Sequence, residues 1–389
     1  MGRPCIVVIV SLLLLAMGGF AFGTEFGNIH FGRLYVHPRL GVEATYDDNI
    51  FLLGKSEEDV LFKIRPGIDL DYMREGKAAR LNYLAEIGRY VDNSDYDYDN
   101  HLVDAAVDLQ FPSGLMFFVG DNFRTANDRL TYEWIPLVKR KQNTGDAKIG
   151  YEFTDRLSVQ AGYDHVMIDY DDPKYSAYDR DEDMINGTVF YRILNAVSVL
   201  AQFEYRQIDY DVEGVRYDSD GVGGWVGVTG QITPKTVALI KGGWQERDYD
   251  GPHEDWDGGV ISLDIVHRCT ETLTLTAGAS REAVESAYLT NNYFTSTQGR
   301  VGLEKKIGPK IVAGVSGFYA NSDYPEKTSY KGGMSERDDD IWGISARVGY
   351  SIQRWLSASL SYTHEARDSN QDTFDYDDNR VSVGVSAIF

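Results

Sequence analysis

Tyr376-Asp-Asp-Asn-Arg-Val-Ser-Val-Gly-Val-Ser-Ala-Ile-Phe389 closes the chain. Read back from the terminal aromatic, Phe389, Ala387, Val385, Val383 and Val381 fall on one face of a strand. Ser386, Gly384, Ser382, Arg380 and Asp378 fall on the other. Side chains of a strand alternate with period two, so one face is oily and the other wet. Such a strand, ending on a carboxy-terminal Phe, suits the wall of an outer-membrane barrel, where lipid lies outside and water inside. Phe389 then serves as the membrane-insertion signal.

The same pattern recurs upstream as hairpins of similar length. Ascending segments such as Leu157-Ser-Val-Gln-Ala-Gly-Tyr163 and Leu356-Ser-Ala-Ser-Leu-Ser-Tyr362 alternate in the same way. Descending segments open on Tyr/Asp clusters, among them Tyr178-Asp-Arg-Asp181, Tyr217-Asp-Ser-Asp220 and Tyr376-Asp-Asp-Asn379. Short turns at Pro112-Ser-Gly114, Thr154-Asp155, Thr233-Pro-Lys235 and Gly308-Pro309 alternate with longer polar connections, including 50–58, 126–138, 287–292 and 322–337. About eighteen strands of about 11–16 residues result, where a tilted membrane strand needs about 9–11 and a soluble strand is nearer five or six. The expected fold is all-β: a transmembrane antiparallel up-and-down β-barrel of about 18 strands. An even count closes the wall and leaves no unpaired edge in lipid. Pro66 falls inside a strand and predicts a bulge there.

The amino terminus has the form of an export signal. Arg3 precedes an apolar run from Ile6 to Met17, and Ala21-Phe-Gly23 precedes Thr24. This predicts a cleaved signal peptide over 1–23, cut between Gly23 and Thr24, and a barrel over 24–389. Cys269 is then the one cysteine of the mature chain, so no internal disulfide is expected. Few residues separate the cut from the first strand near Leu34, which leaves no room for a plug or a periplasmic docking domain. The 26 tyrosines, 17 phenylalanines and 39 glycines suit interfacial girdles and twisted strands. A formal charge of −22 argues against nucleic acid as a partner. The expected location is the outer membrane of a Gram-negative bacterium. The expected partners are outer-membrane lipid, lipopolysaccharide and the barrel-assembly machinery.

Alternation also sorts the charges. Leu40, Val42, Leu81, Tyr83, Ile185, Val189, Trp342, Ile344 and Val348 are expected to face lipid. Arg39, Glu43, Arg65, Asp69, Arg80, Glu86, Asp108, Glu204, Arg206, Arg300, Glu304, Arg347 and Arg380 are expected to line the channel. The segments near 115–125 and 236–248 sort poorly. Trp134-Ile135-Pro136-Leu137 is an apolar cluster inside a long connection, and it has two readings: a constriction folded into the pore, or packing on the rim.

No catalytic, metal or cofactor site emerges. Asp95-Tyr-Asp97-Tyr-Asp99-Asn100 has the spacing of half a calcium loop, but Asn100 and Ala106 stand where that loop needs glycine and an acid. His165 and His364 have no nucleophile motif beside them and read as interfacial. Gly223-Gly224 and Gly242-Gly243 match no phosphate loop and suit close strand packing. The chain is not expected to be an enzyme.

Arg39-Leu-Gly-Val-Glu-Ala-Thr-Tyr-Asp-Asp-Asn-Ile-Phe-Leu52, followed by Arg65-Pro-Gly-Ile-Asp-Leu70, resembles the opening of the putative beta-barrel porin 2 family. The resemblance implies an outer-membrane barrel of about eighteen strands. It also implies an association with capsule or exopolysaccharide export, and no catalytic residues. Three functions follow. The first is a conduit for capsular or exopolysaccharide, working with periplasmic polysaccharide export proteins. The second is a general or small-solute diffusion porin, and the third a structural or adhesive surface barrel. A polymer conduit should lack a constricting loop.

Overall fold

The computed structural model describes residues 29–128, 137–212, 214–251, 254–288 and 290–389. A two-residue strand, β1 (His30–Phe31), pairs with the start of β2 (Leu34–Asp47). The wall continues through β3 (Asp59–Arg74), β4 (Lys77–Tyr90), β5 (Tyr98–Gln110), β6 (Leu115–Asp128), β7 (Val138–Glu152) and β8 (Leu157–Tyr170). Next come β9 (Arg180–Leu194), β10 (Val197–Tyr210), β11 (Ser219–Thr233), β12 (Thr236–Tyr249), β13 (Trp256–Arg268) and β14 (Leu273–Glu285). The last five are β15 (Tyr293–Ile307), β16 (Ile311–Tyr330), β17 (Gly333–Ser351), β18 (Leu356–Ser369) and β19 (Tyr376–Ile388). Each strand from β2 pairs antiparallel with the next, and β19 returns to β2 through Val383↔Ala44, Val385↔Val42 and Ala387↔Leu40. The result is a closed barrel of 18 strands. No helix among the described residues is long and apolar enough to cross a membrane.

The terminal strand behaves as its alternation requires. Val381, Val383 and Val385 are exposed on the outer wall, as are Leu40, Val42, Leu81, Ile185, Val189, Trp342 and Ile344. Two belts of outward aromatics bound this apolar band. Tyr46, Tyr163, Tyr205, Trp244, Tyr319 and Trp342 mark the long-loop side, and Tyr72, Tyr151, Tyr191 and Tyr350 the short-turn side. Trp342 and Tyr350 lie on one strand. Their spacing in sequence spans about 26 Å along it, or about 20 Å along the membrane normal at a tilt of about 40°, comparable to an apolar band of about 25 Å. Val383→Arg is therefore expected to destabilise the barrel in bilayers by about 2–4 kcal/mol, whereas Ser382→Arg, on the opposite face, costs far less. Urea titration of the lipid-inserted protein reads the difference.

Two expectations change. Pro66 introduces no bulge: the β2–β3 register runs unbroken through Leu40↔Pro66, and the β3–β4 register is the same at Ile64↔Ile87 and Gly67↔Leu84. The β3–β4 ladder merely omits its rungs at Arg65 and Pro66, since proline has no N–H to give. The stretch 322–337 is not an open connection either. β16 and β17 run on as a hairpin to a turn at Lys331 and Gly332, with one register shift between Tyr324 and Thr328. Pro325 lies in that shift and accounts for it, because it interrupts a ladder that resumes beyond it. The glycine pairs do serve close packing. A Cβ on Gly243 would sit 2.1 Å from the Gly224 carbonyl oxygen, so only glycine fits there.

Candidate functional site

The concave face is identified by contacts that skip a strand. Lys241 of β12 donates to Gln202 of β10 at 3.2 Å across β11, and its ammonium lies 4.2 Å from the ring centre of Trp225. The Gln245 amide donates to Glu204 across the same strand. Side chains two strands apart meet only on the inside of a curved wall, so these residues face the lumen.

The charged positions expected at the lining form rows of opposite sign. Arg65 bridges Glu43 at 3.1 Å and Glu86 at 2.5 Å, while Lys63 reaches Glu43 at 3.4 Å. Tyr98 donates to Glu86 at 2.9 Å. Arg39 meets Asp69 at 3.1 Å, Arg80 meets Asp71 at 3.4 Å, and Arg300 meets Asp264 at 2.7 Å. Arg380 contacts Glu365 at 3.1 Å and Asp378 at 3.0 Å. Arg206 touches the sulfur of Met184, and Glu304 and Arg347 flank Gly314 in one row of the ladder. Asp108 shares the face of Asp104 on β5, opposite the outward Val107. The wall is thus polar, with charges of both signs interspersed and several of them paired.

The β14–β15 hairpin departs from the wall. The β13–β14 ladder stops at Ile261↔Arg281, although β14 stays paired with β15 as far as Glu285↔Tyr293. Ala277 and Ala279 share a face with the outward Val301, so alternation would turn Ala283, Glu285, Tyr293 and Thr295 outward as well. Instead they lie against the inner wall. Glu285 takes hydrogen bonds from Arg247 at 2.7 Å, Tyr249 at 2.9 Å and Tyr210 at 2.8 Å. Tyr293 stacks on Tyr249 with ring centres 5.7 Å apart, and Trp256 donates to Thr295 at 3.2 Å. Ala283 joins Trp225, Tyr249, Trp256, Val260 and Tyr293 in one buried cluster. On the hairpin's opposite face Phe294 stacks on Tyr324, both about 1% exposed. Both faces of the tip are thus covered, so the hairpin has folded through the wall line into the lumen. Arg281 holds the resulting seam by donating to the Gly259 carbonyl at 2.8 Å.

Two buried arginines fix the tip in place. Arg216, in the β10–β11 connection, donates to the carbonyls of Ser286, Tyr288, Asn291 and Asn292 at 2.5–3.1 Å. Arg337 of β17 pairs with Asp339, and its guanidinium lies 4.8, 4.6 and 3.6 Å from the ring centres of Tyr288, Tyr324 and Phe374. Tyr288 belongs to the β14–β15 connection and Phe374 to the β18–β19 connection, so one cation holds both. Cations over aromatic faces in a dry setting contribute about 2 kcal/mol or more.

The Tyr/Asp repeat has a local purpose as well. Asp97, Asp179, Asp218 and Asp255, each just ahead of or opening a descending strand, accept the backbone N–H of Tyr90, Tyr170, Tyr210 and Tyr249 at 2.7–2.9 Å. Asp375 does the same for Ser369 at 2.8 Å. Each carboxylate closes the loop above its own hairpin, satisfying a donor at the strand end. At the tip of the β16–β17 hairpin, the Lys331 ammonium 2.7 Å away and the Tyr330 hydroxyl hold the Asp372 carboxyl below the usual carboxylate range.

His165 and His364 share strand faces with the outward Tyr163 and Tyr362. His165 Nδ1 is 2.9 Å from Asp183, which also accepts from Tyr163, and His364 lies 3.0 Å from the Asn379 amide oxygen with its ring against Trp342. Neither adjoins a nucleophile in these contacts. No trio of His, Cys, Asp or Glu side chains among the described residues is placed to hold a metal ion. Trp134, Ile135 and Pro136 lie outside the described residues, as do Gly23 and Thr24; Leu137 is half-buried just before β7. Where the sequence predicts an ordinary connection over 287–292, the β14–β15 hairpin turns inward.

A closed antiparallel wall with an oily exterior, aromatic belts and a lumen face carrying charges of both signs defines a β-barrel channel of outer-membrane type. The sequence matches the family Putative beta-barrel porin 2 over residues 26–389, and the chain belongs to that family. No curated protein matches it. Similar solved structures include Pseudomonas aeruginosa OccK2 (OpdF) in complex with glucuronate, at 11% identity and TM-score 0.49, covering 92% of this chain and 99% of that one. The outer membrane protein OpdK of the same organism aligns at 14% identity and TM-score 0.47, covering 91% and 99%. The siderophore receptor PirA, also from P. aeruginosa, aligns at 11% and 0.45, covering 91% and 80%.

Proposed function

We propose that the protein is a diffusion porin for small polar solutes in the outer membrane of a Gram-negative bacterium, with the β14–β15 hairpin setting the size limit at the outer mouth. The observation that carries this reading is the inward hairpin, fixed by Glu285, Arg216 and Arg337. A polymer chain needs an unobstructed bore along its whole length, and a hairpin buried on both faces narrows the bore. The conduit for capsular or exopolysaccharide expected from the family resemblance is therefore the weaker reading, and periplasmic export partners lose their rationale with it. A lumen lined by both signs of charge, several of them paired, suits neutral or zwitterionic solutes, because neither ion sign gains a steep field.

Planar bilayers test the proposal. Reconstituted protein should give stable single-channel steps, and liposomes containing it should swell in mono- and disaccharides but not in long oligosaccharides. Absence of any conductance would overturn the channel reading. Deleting Phe389 is expected to reduce inserted protein sharply. Its N–H bonds the Pro38 carbonyl at 2.9 Å across the β19–β2 seam, and its ring stacks on Trp355 of the β17–β18 turn. The yield of heat-modifiable band checks this effect, attributed here to recognition by the barrel-assembly machinery. Wild-type yield would contradict it.

A further inference from the structure

The outer wall across β15–β18 is not uniformly convex. Two neighbouring rows of the ladder, Lys305–Ala313–Val348–Leu360 and Leu303–Val315–Ala346–Tyr362, run side by side. Ala313 and Ala346 stand at their centre, flanked by Leu303, Leu360 and Tyr362, so the wall is hollowed into a groove of about 410 Å³. That volume falls within the range of ligand sites, about 300–1,000 Å³. The groove is apolar except at its short-turn end. There Lys305 stands exposed on the outer face, and beyond it the Lys310 ammonium lies over the Tyr350 ring at 5.7 Å.

From this geometry we infer a site for one anionic phospholipid of the inner leaflet of the outer membrane. The acyl chain fills the hollow over Ala313 and Ala346. The phosphate sits beside Lys305 and Lys310 at the level of the Tyr350 belt. Membrane position selects the occupant: the groove opens toward acyl chains, and its cations lie where the headgroups of that leaflet begin. A lysine at this depth extends along the wall to the interface, keeping its stem in oil and its charge in water. Charge complementarity then favours an anionic headgroup over a zwitterionic one. Each lysine near the surface favours an anionic lipid by about fivefold.

Native mass spectrometry of the detergent-solubilised protein, titrated with phosphatidylglycerol or phosphatidylcholine, tests the inference. Wild type should retain one phosphatidylglycerol with severalfold preference over phosphatidylcholine, and its melting temperature should rise with that lipid alone. Lys305→Glu should keep the lipid but lose the preference. Ala346→Trp fills the hollow and should lose the tightly held lipid. Should the tryptophan variant fail to fold, Ala313→Leu gives the same readout with less added volume. Equal retention of both lipids by wild type and Lys305→Glu would overturn the inference. So would a dimer of this chain whose contact, and not a lipid, is lost on filling the groove.

Discussion

Replacing residues 284–294 with a two-residue Asn-Gly turn is expected to raise single-channel conductance severalfold and to admit oligosaccharides that the intact channel excludes. Asn-Gly forms the type I′ turn that matches strand twist, so it can close the ladder between Ala283 and Thr295, which pair directly. The change removes Glu285, Tyr293 and Phe294 from the lumen, and Arg247, Tyr249 and Trp256 become the new inner surface. Removing one partner of a buried ion pair usually costs about 3–5 kcal/mol, and Arg247 and Glu285 are such a pair, with side chains 8% and 5% exposed. Here the cost is smaller, because departure of the hairpin lets water reach Arg247. Heat-modifiable barrel should persist, which separates an open pore from a misfolded one. Unchanged conductance with intact folding would mean that the hairpin does not limit the pore.

Arg216→Met is expected to free the mouth without opening the wall. Arg216 is 3% exposed and its guanidinium serves four carbonyls of the β14–β15 connection. Methionine fills similar volume and donates nothing. Each buried group left without a partner costs about 1–3 kcal/mol. Water entry will recover much of that, leaving about 3 kcal/mol against the closed arrangement. A change of that size shifts an open-to-closed ratio by about a hundredfold. The variant should show noisy, higher-conductance substates and faster proteolysis of the β10–β11 and β14–β15 connections, with an unaltered melting transition of the wall. Arg216→Lys should fall between, since an ammonium has three donors and no planar fork. Quiet wild-type steps from the methionine variant would show that the contact is incidental.

Most of the wall was legible because membrane strands are written in alternation. Val381, Val383 and Val385 declare one face, and Trp342 through Val348 repeat the statement. The short turns and the even strand count follow from the same period, which also sets Arg39, Glu43, Arg65 and Glu86 on the face opposite the apolar rows. The constriction was not legible by that rule. Ala277 and Ala279 set a phase on β14 that Ala283 and Glu285 continue without interruption, so the sequence gives no phase break where the hairpin leaves the wall. One signal was present. Ala283-Val284 and Tyr293-Phe294 put apolar residues on successive positions, and in a half-buried strand that pattern means both faces are covered. The Tyr/Asp clusters were legible only in part. They mark where descending strands open, but nothing in them shows that Asp97, Asp179, Asp218 and Asp255 spend their carboxylates on backbone N–H groups. Arg216 could not have been placed from sequence, since its acceptors are main-chain carbonyls some seventy positions away.

The most direct measurement labels single cysteines at Ala279 and Ala283 in membranes, with Cys269 replaced by serine. A lipid-soluble maleimide should modify Ala279→Cys and leave Ala283→Cys unreacted, because the strand crosses from the oily exterior into the packed lumen between them. Equal labelling of the two by the lipid-phase reagent would place the whole of β14 in the wall. The hairpin would then be an external loop, and the size limit assigned to it would have no structural basis.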